Sequence, residues 1–295
     1  MKISNLVAPA WLLEEVRRAK RGTSTDQVEQ TSGLLSRLRL PTVCDSAHCP
    51  NRGECFSHRT VTFLILGDVC TRGCTFCAVR HGHPAGPPDA DEPERIAQAV
   101  GELGLTHVVI TSVTRDDLPD SGAGHYAQVV GVLRRLCPSV KVELLVPDFL
   151  GSEEALATVL AACPDILAHN LETVPRLYRQ VRRGAGYHRS LRVLHKAKAL
   201  APRIITKSGL MLGLGESADE VEAVLYDLAA TGCEMVTLGQ YLAPSIAYTP
   251  VARYVSHNEF DQWRTKALAM GFKSVASGPL VRSSYKASLF FGELA

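Results

Sequence analysis

Short apolar runs rich in β-branched residues recur along the chain at Val61–Leu66, His107–Ser112, Val140–Val146, Asp165–Ala168, Ile204–Leu212 and Met235–Leu238. Each is apolar on both faces. A strand with no polar face must be covered on both sides, which is the condition of a parallel sheet under helices. The intervening stretches Glu92–Leu103, His125–Leu136, Ser152–Ala162, Ser190–Leu200 and Ser217–Thr231 carry helix-like patterns. Ser152 and Ser217 stand at N-cap positions with an acid two or three residues on, and Gly104 and Gly232 stand where helix C-terminal glycines belong. Six strands alternating with helices predict an α/β fold, a partial (β/α)6 TIM-like barrel that six units rather than eight leave open on one side.

The stretch HGHPAGPPDADEP around His81–Pro93 is too rich in Pro and Gly for either element and reads as an exposed connection. Residues 61–240 form the expected barrel. Residues 1–60 and 241–295 read as extensions packed on it, because neither has a convincing core of its own. No internal repeat or low-complexity tract interrupts this order.

Composition narrows the setting. Thirty-two basic residues against 30 acidic in 295 leave the chain nearly neutral, so no strong field for nucleic acid or an anionic membrane is expected. The N-terminal MKISNLVAPAWLLEEVRRAK has acids at Glu14 and Glu15 and no apolar run before a small-residue cleavage site, unlike a secretory or transit signal. No stretch approaches a transmembrane span. A soluble, cytoplasmic chain is expected, and nine cysteines in a reducing compartment point to metal ligands or small buried hydrophobes rather than disulfides.

Six of those cysteines fall in two triplets, Cys44-x4-Cys49-x5-Cys55 and Cys70-x3-Cys74-x2-Cys77. Each is one short of a closed four-thiolate site. A cubic iron–sulfur cluster wants four ligands, so three cysteines leave one iron free for a substrate, a cofactor or an unusual fourth residue. The competing reading of each triplet is a structural zinc site, completed by His81 or His83 in the second and by His48 or His58 in the first. Cys70, Cys74 and Cys77 follow the first strand directly, and in a β/α barrel the loops after the strands form the active face.

CxxxCxxC with an aromatic, Phe76, before its last cysteine resembles the radical S-adenosylmethionine (SAM) enzymes. The resemblance implies a 4Fe-4S cluster on Cys70, Cys74 and Cys77 whose open iron is chelated by the amine and carboxylate of SAM. An electron from the cluster would cleave SAM to methionine and a 5′-deoxyadenosyl radical. Gly209-Leu-Met-Leu-Gly213-Leu-Gly-Glu216 resembles the G-x-I-x-G-x-x-E pattern that lies against adenine in these enzymes. By itself that pattern is weak, since a turn reads the same way.

The spacing CxxxxCPNxxxC, the acid before Cys55 and the C-terminal Arg282-Ser283-Ser284-Tyr285 resemble the lipoyl synthase family. So do TSVTRDDLPDSGA, VPDFLG, HNLETVPRLYRQVR, TKSGLMLGLGE, GQYLAP and SGPLVRSSYKA, in family order over most of the chain. The resemblance implies a second 4Fe-4S cluster on Cys44, Cys49 and Cys55, with Ser283 or Ser284 as fourth ligand and Ser284 favoured. It implies an octanoyl group in amide linkage to a lysine of a lipoyl carrier protein or domain as substrate. Radicals at C6 and then C8 would each take a sulfide from that auxiliary cluster, consuming two SAM molecules, with an electron donor such as ferredoxin or flavodoxin. Oxygen is a harder and poorer partner for cluster iron than thiolate, so a serine corner suits a cluster meant to be dismantled.

Asn170, Glu172 and Arg182 stand where SAM's ribose and carboxylate are expected, Arg offering bidentate recognition; an ordinary ion-pair network is the bland alternative. Asp116 and Asp117 read as acids at the mouth, either ordering a loop or simply solvated, and Arg282 as a residue ordering the entrance. Cys137, Cys163 and Cys233 read as structural. Two other classes compete: a two-cluster methylthiotransferase acting on RNA, disfavoured by the neutral charge, and a zinc-binding interaction module, which leaves the six β/α units unexplained.

Overall fold

The computed structural model describes residues 7–21 and 24–288; residues 1–6 of the expected N-terminal extension, residues 22–23, and residues 289–295 of the C-terminal one lie outside the described residues. Four helices precede the first strand: α1 (Ala10–Arg21), α2 (Thr25–Arg37), and the short α3 (Val43–Ser46) and α4 (Arg52–Ser57). Strand β1 (Thr62–Ile65) leads to two short strands, β2 (Val69–Cys70) and β3 (Arg80–His81), which pair with each other. Then follow α5 (Glu92–Leu103), β4 (His107–Ser112), α6 (Ala123–Leu136), β5 (Lys141–Leu145), α7 (Glu153–Ala161) and β6 (Ile166–Ala168). The chain continues through α8 (Tyr178–Val181), α9 (Tyr187–Leu200), β7 (Ile205–Leu212), α10 (Ala218–Ala230), β8 (Met235–Gln240), α11 (His257–Ala269) and β9 (Ser274–Gly278).

The main sheet has seven strands in the order β1-β4-β5-β6-β7-β8-β9, every pair parallel and no closing pair between β9 and β1. This is the open α/β barrel expected from the alternation of runs. The seventh strand, β9, comes from the C-terminal segment. Its sequence SVASG has neither an aliphatic run nor alternation, and its pairing with β8 and the packing of α11 make it a strand rather than its own propensity. Ser152 accepts from Ala155 N, Ser217 forms a full capping box with Glu220, and Gly104 and Gly232 have positive φ, as their positions predict. Helix α9 starts at Tyr187 rather than Ser190, because Gly186 supplies an extended N-cap without a side chain. Ser190 is thereby buried in the first turn.

The core lies between sheet and helices. Phe56, Ile65, Ile110, Val129 and Leu144 belong to its first half, and Leu210, Leu225, Val236, Phe260 and Val275 to its second. Helix α4 packs on α1 through Gly53, where any Cβ would meet Lys20 O at 2.1 Å. A charged cluster crosses the sheet: Lys207 on β7 reaches Glu143 on β5 at 2.8 Å, and His107 on β4 reaches the other oxygen at 3.3 Å. Burial acts to raise the Glu143 carboxyl, but Lys207 and His107 together hold it below the ordinary carboxylate range. Removing one partner leaves a buried charge uncompensated. Lys207→Met is therefore expected to cost about 3–5 kcal/mol in chemical denaturation. The double variant Lys207→Met/Glu143→Leu should recover most of that loss.

Candidate functional site

Because all seven strands run the same way, the segments that follow them emerge at one end of the sheet. The first carries Cys70, Cys74 and Cys77. Thr75 N bonds Val181 O, and Thr249 N bonds Thr75 O, so the segment after β8 lies over this loop. Phe76 packs on the second half of the core, beside Cys77. Cys70 Sγ accepts backbone N–H bonds from Arg72 at 3.5 Å and Thr114 at 3.4 Å, and Cys77 accepts from Val79. Burial, together with the neighbouring cysteines, pushes the Cys74 thiol up to about 11 and the Cys77 thiol up to about 12.

The floor of this loop is a charge network. Arg72 makes a fork to Asp116 at 2.7 and 2.9 Å and reaches Asp148 at 2.6 Å; the second Asp148 oxygen takes Arg189 at 2.7 Å. Arg72 and Asp148 are almost wholly buried. Asp116 thus orders the cysteine loop, while Asp117 pairs with Arg115. Burial acts to raise Asp148, but Arg72 and Arg189 bring it down to about 2. Arg72 and Asp148 were not singled out by motif. Arg72 lies between two cysteines and Asp148 follows the third strand of the main sheet, positions where a buried charge signals a cross-link rather than a surface.

Asn170 and Glu172 follow β6, and Glu172 forms an isolated bridge beside Leu210 of β7. Asn170 Nδ2 donates to Glu172 at 3.0 Å, and burial raises the Glu172 carboxyl. Arg182 sits at the end of α8 and lies within electrostatic reach of Cys74 and Glu172. The β7 turn is tight. Glu216 is buried and accepts from Gly213 N at 2.6 Å and Leu214 N at 2.8 Å. Gly213 has φ +100, and a Cβ there would strike Gln240 Nε2 at 2.4 Å and Arg253 O at 2.5 Å. Both Glu216 oxygens are committed to the turn, so it shapes the wall of the site through the backbone.

The first triplet sits on α3 and α4, with Cys44 and Cys55 on the helices and Cys49 between them. Cys44 accepts from Thr62 N, and burial plus Cys49 pushes its thiol to about 12. Cys55 is pushed up by burial and by Cys44 and Cys49. The C-terminal turn is brought here by β8 and β9: Gly239 faces Val281 O so closely that a Cβ would come to 2.1 Å. Asn51 donates to Leu280 O at 2.7 Å, and Tyr285 donates to Glu54 at 3.0 Å across 231 positions. Arg282 lies between Cys49 and Glu172, and Ser283 donates to Asn170 at 3.0 Å. The C-terminal turn thus lies beside both the first triplet's helices and the segment after β6.

Each triplet suits an iron–sulfur cluster in its donor chemistry. The cysteines of a triplet are near enough to raise one another's thiols, a repulsion that a cationic centre reverses, and Cys44, Cys70 and Cys77 receive N–H donors that favour thiolate. Among the described residues no three His, Cys, Asp or Glu side chains converge closely enough to hold a single metal ion. His48, His58, His81 and His83 complete no such group. All nine cysteines are free. Among the described residues no helix is long and apolar enough to cross a membrane.

Comparison with known proteins gives three results. The Radical SAM superfamily matches residues 64–228. A lipoyl synthase of Trichlorobacter lovleyi is 57% identical over 280 residues, 95% of this chain and 97% of its own. One of Caldanaerobacter subterraneus subsp. tengcongensis is 54% identical over 90% and 93%. Among solved structures, methylornithine synthase superposes with a TM-score of 0.55 at 17% identity, over 88% of this chain and 72% of its own. HydG, a maturase of the [FeFe]-hydrogenase, gives 0.58 at 13%, over 92% and 66%.

The charge network generates a pH test. Asp148, depressed from 3.8 to about 2, adds stability above pH 3.8 that is lost as pH falls through about 2. Asp148→Asn is expected to lower Tm at neutral pH, with the gap to the unsubstituted chain closing across that window in pH-dependent thermal unfolding.

Proposed function

Since the chain belongs to the lipoyl synthase family of the radical SAM superfamily, we propose that it inserts sulfur at C6 and C8 of an octanoyl group on a lysine of a lipoyl carrier protein. The observation that supports this reading is the C-terminal turn, which bonds the segment of the first cysteine triplet through Asn51 and Glu54 and the segment after β6 through Asn170. Clusters bound there supply the electron that cleaves SAM to a deoxyadenosyl radical and the sulfur that is transferred.

Cys70, Cys74 and Cys77 hold the first 4Fe-4S cluster and leave an iron open to SAM. Asn170 and Glu172 face the ribose, Arg182 the carboxylate, and Phe76 and the Gly213–Glu216 turn line the adenine side. Cys44, Cys49 and Cys55 hold the auxiliary 4Fe-4S cluster. Its fourth ligand is a serine of the C-terminal turn, Ser284 or else Ser283, whose hydroxyl donates to Asn170 while its lone pairs stay free. Labour divides along the chain: residues 1–60 carry the auxiliary cysteines, 61–240 the SAM barrel, and 241–295 close it and supply the serine. The partners are the octanoylated carrier and an electron donor such as ferredoxin or flavodoxin, in a reducing cytoplasm, without nucleic acid or membrane. A zinc-binding interaction module would leave the β/α units of the sheet unexplained, and near-neutral charge counts against an RNA substrate.

Anaerobic reconstitution is expected to yield about eight irons per chain, and two zincs in their place would overturn the reading. With SAM, a reductant and an octanoylated carrier peptide, Cys49→Ala should still form 5′-deoxyadenosine while mass spectrometry finds no sulfur in the peptide. Loss of both activities would mean that the two cysteine triplets do not act separately.

A further inference from the structure

At the mouth of the barrel most arginines are spent on carboxylates: Arg72 on Asp116 and Asp148, Arg115 on Asp117, Arg189 on Asp148. Arg182 is not. Its Nη1 donates to two neutral hydroxyls, Ser190 at 2.8 Å and Tyr178 at 3.0 Å, and no carboxylate among the described residues pairs with it. Glu172, an acid within electrostatic reach, is engaged by Asn170.

The direction of every bond in this cluster follows from its two ends, which are backbone carbonyls and can only accept. Val146 O lies 2.8 Å from His169 Nδ1, so Nδ1 carries the proton and Nε2 is bare. Nε2 lies 2.9 Å from Ser190 Oγ, so the serine spends its only proton on the imidazole and offers lone pairs to Arg182. On the other side Tyr178 donates to Leu171 O at 2.9 Å and likewise offers only lone pairs. Both Nη1 hydrogens are therefore used, and among the described residues the Nε/Nη2 edge of the guanidinium has no hydrogen-bond partner. That edge is the one that grips a carboxylate in a two-bond fork.

We propose that His169, Ser190 and Tyr178 are positioning residues: a neutral relay that holds Arg182 with its Nε/Nη2 edge presented to the carboxylate of SAM. This rests on the assignment of Arg182 to that carboxylate above. Neutrality is the point of the arrangement. An acid at 169 would satisfy Arg182 and cancel its charge, and a cation would repel it. His169 and Ser190 have no exposed surface, and burial with Arg182 nearby drives His169 down to about 3, so the imidazole stays uncharged. Helix α9 begins at Tyr187, and Ser190 in its first turn is buried against this cluster.

The test is equilibrium dialysis of the anaerobically reconstituted full chain against SAM and against decarboxylated SAM. Ser190→Ala and Tyr178→Phe should each weaken SAM about tenfold, as loss of a bond to a charged group implies. Decarboxylated SAM should bind the variants as it binds the unsubstituted chain, with iron content unchanged. Equal weakening of both ligands, or no weakening of either, overturns the relay. Arg182→Gln separates the two levels: if it keeps the preference for SAM over the decarboxylated form, the carboxylate assignment itself fails. If Arg182→Gln loses that preference while Ser190→Ala and Tyr178→Phe keep it, Arg182 stands and the relay is overturned.

Discussion

The parallel direction of all seven strands is the constraint on which everything else in this molecule depends. Parallel strands need a crossover between each pair, and a right-handed helical crossover returns the chain to the same starting edge every time. Each strand therefore delivers its following segment to one end, and seven segments from Cys70 to Tyr285 meet there. No single segment carries enough chemistry to act alone. The glycines at 213 and 239 mark where segments come closest, with no room for a side chain between Gly239 and the Val281 carbonyl.

Charge inside this end is arranged in two contrasting ways. Arg72, Asp116, Asp148 and Arg189 satisfy one another and tie the cysteine loop to the segments after β4 and β5. Such a buried pair adds rigidity more than net stability, because desolvation offsets most of the attraction. Arg182 is held instead by hydroxyls that fix its orientation without cancelling its charge. One arginine builds the scaffold; the other is kept available.

The auxiliary side follows the same logic of incomplete sets. Cys44, Cys49 and Cys55 sit on short helices outside the barrel, and the turn facing them arrives from the other end of the chain, clasped by Asn51 and Glu54. The clasp uses part-buried bonds, from Asn51 to Leu280 O and from Tyr285 to the Glu54 carboxylate, which Lys286 also reaches at 3.2 Å.

The alternation of β-branched runs with capped helices was sufficient to specify an open α/β barrel, since both-sided apolar strands have no other way to be covered. Cysteine spacing likewise picked out two triplets, because spacing within a loop is a local property. Strand β9 was not legible: SVASG becomes a strand only against β8. Nor were the partners of Arg72, or the inward turn of Ser190, which a sequence window reads as the start of a helix. These depend on contacts between segments distant in the chain, and no local pattern records which charge a buried side chain will meet. The sequence by itself determined six of the strands and the spacing of the two cysteine triplets; only the tertiary structure decided which arginine is paired and which serine donates to Asn170, because hydrogen-bond partners are chosen by proximity after folding.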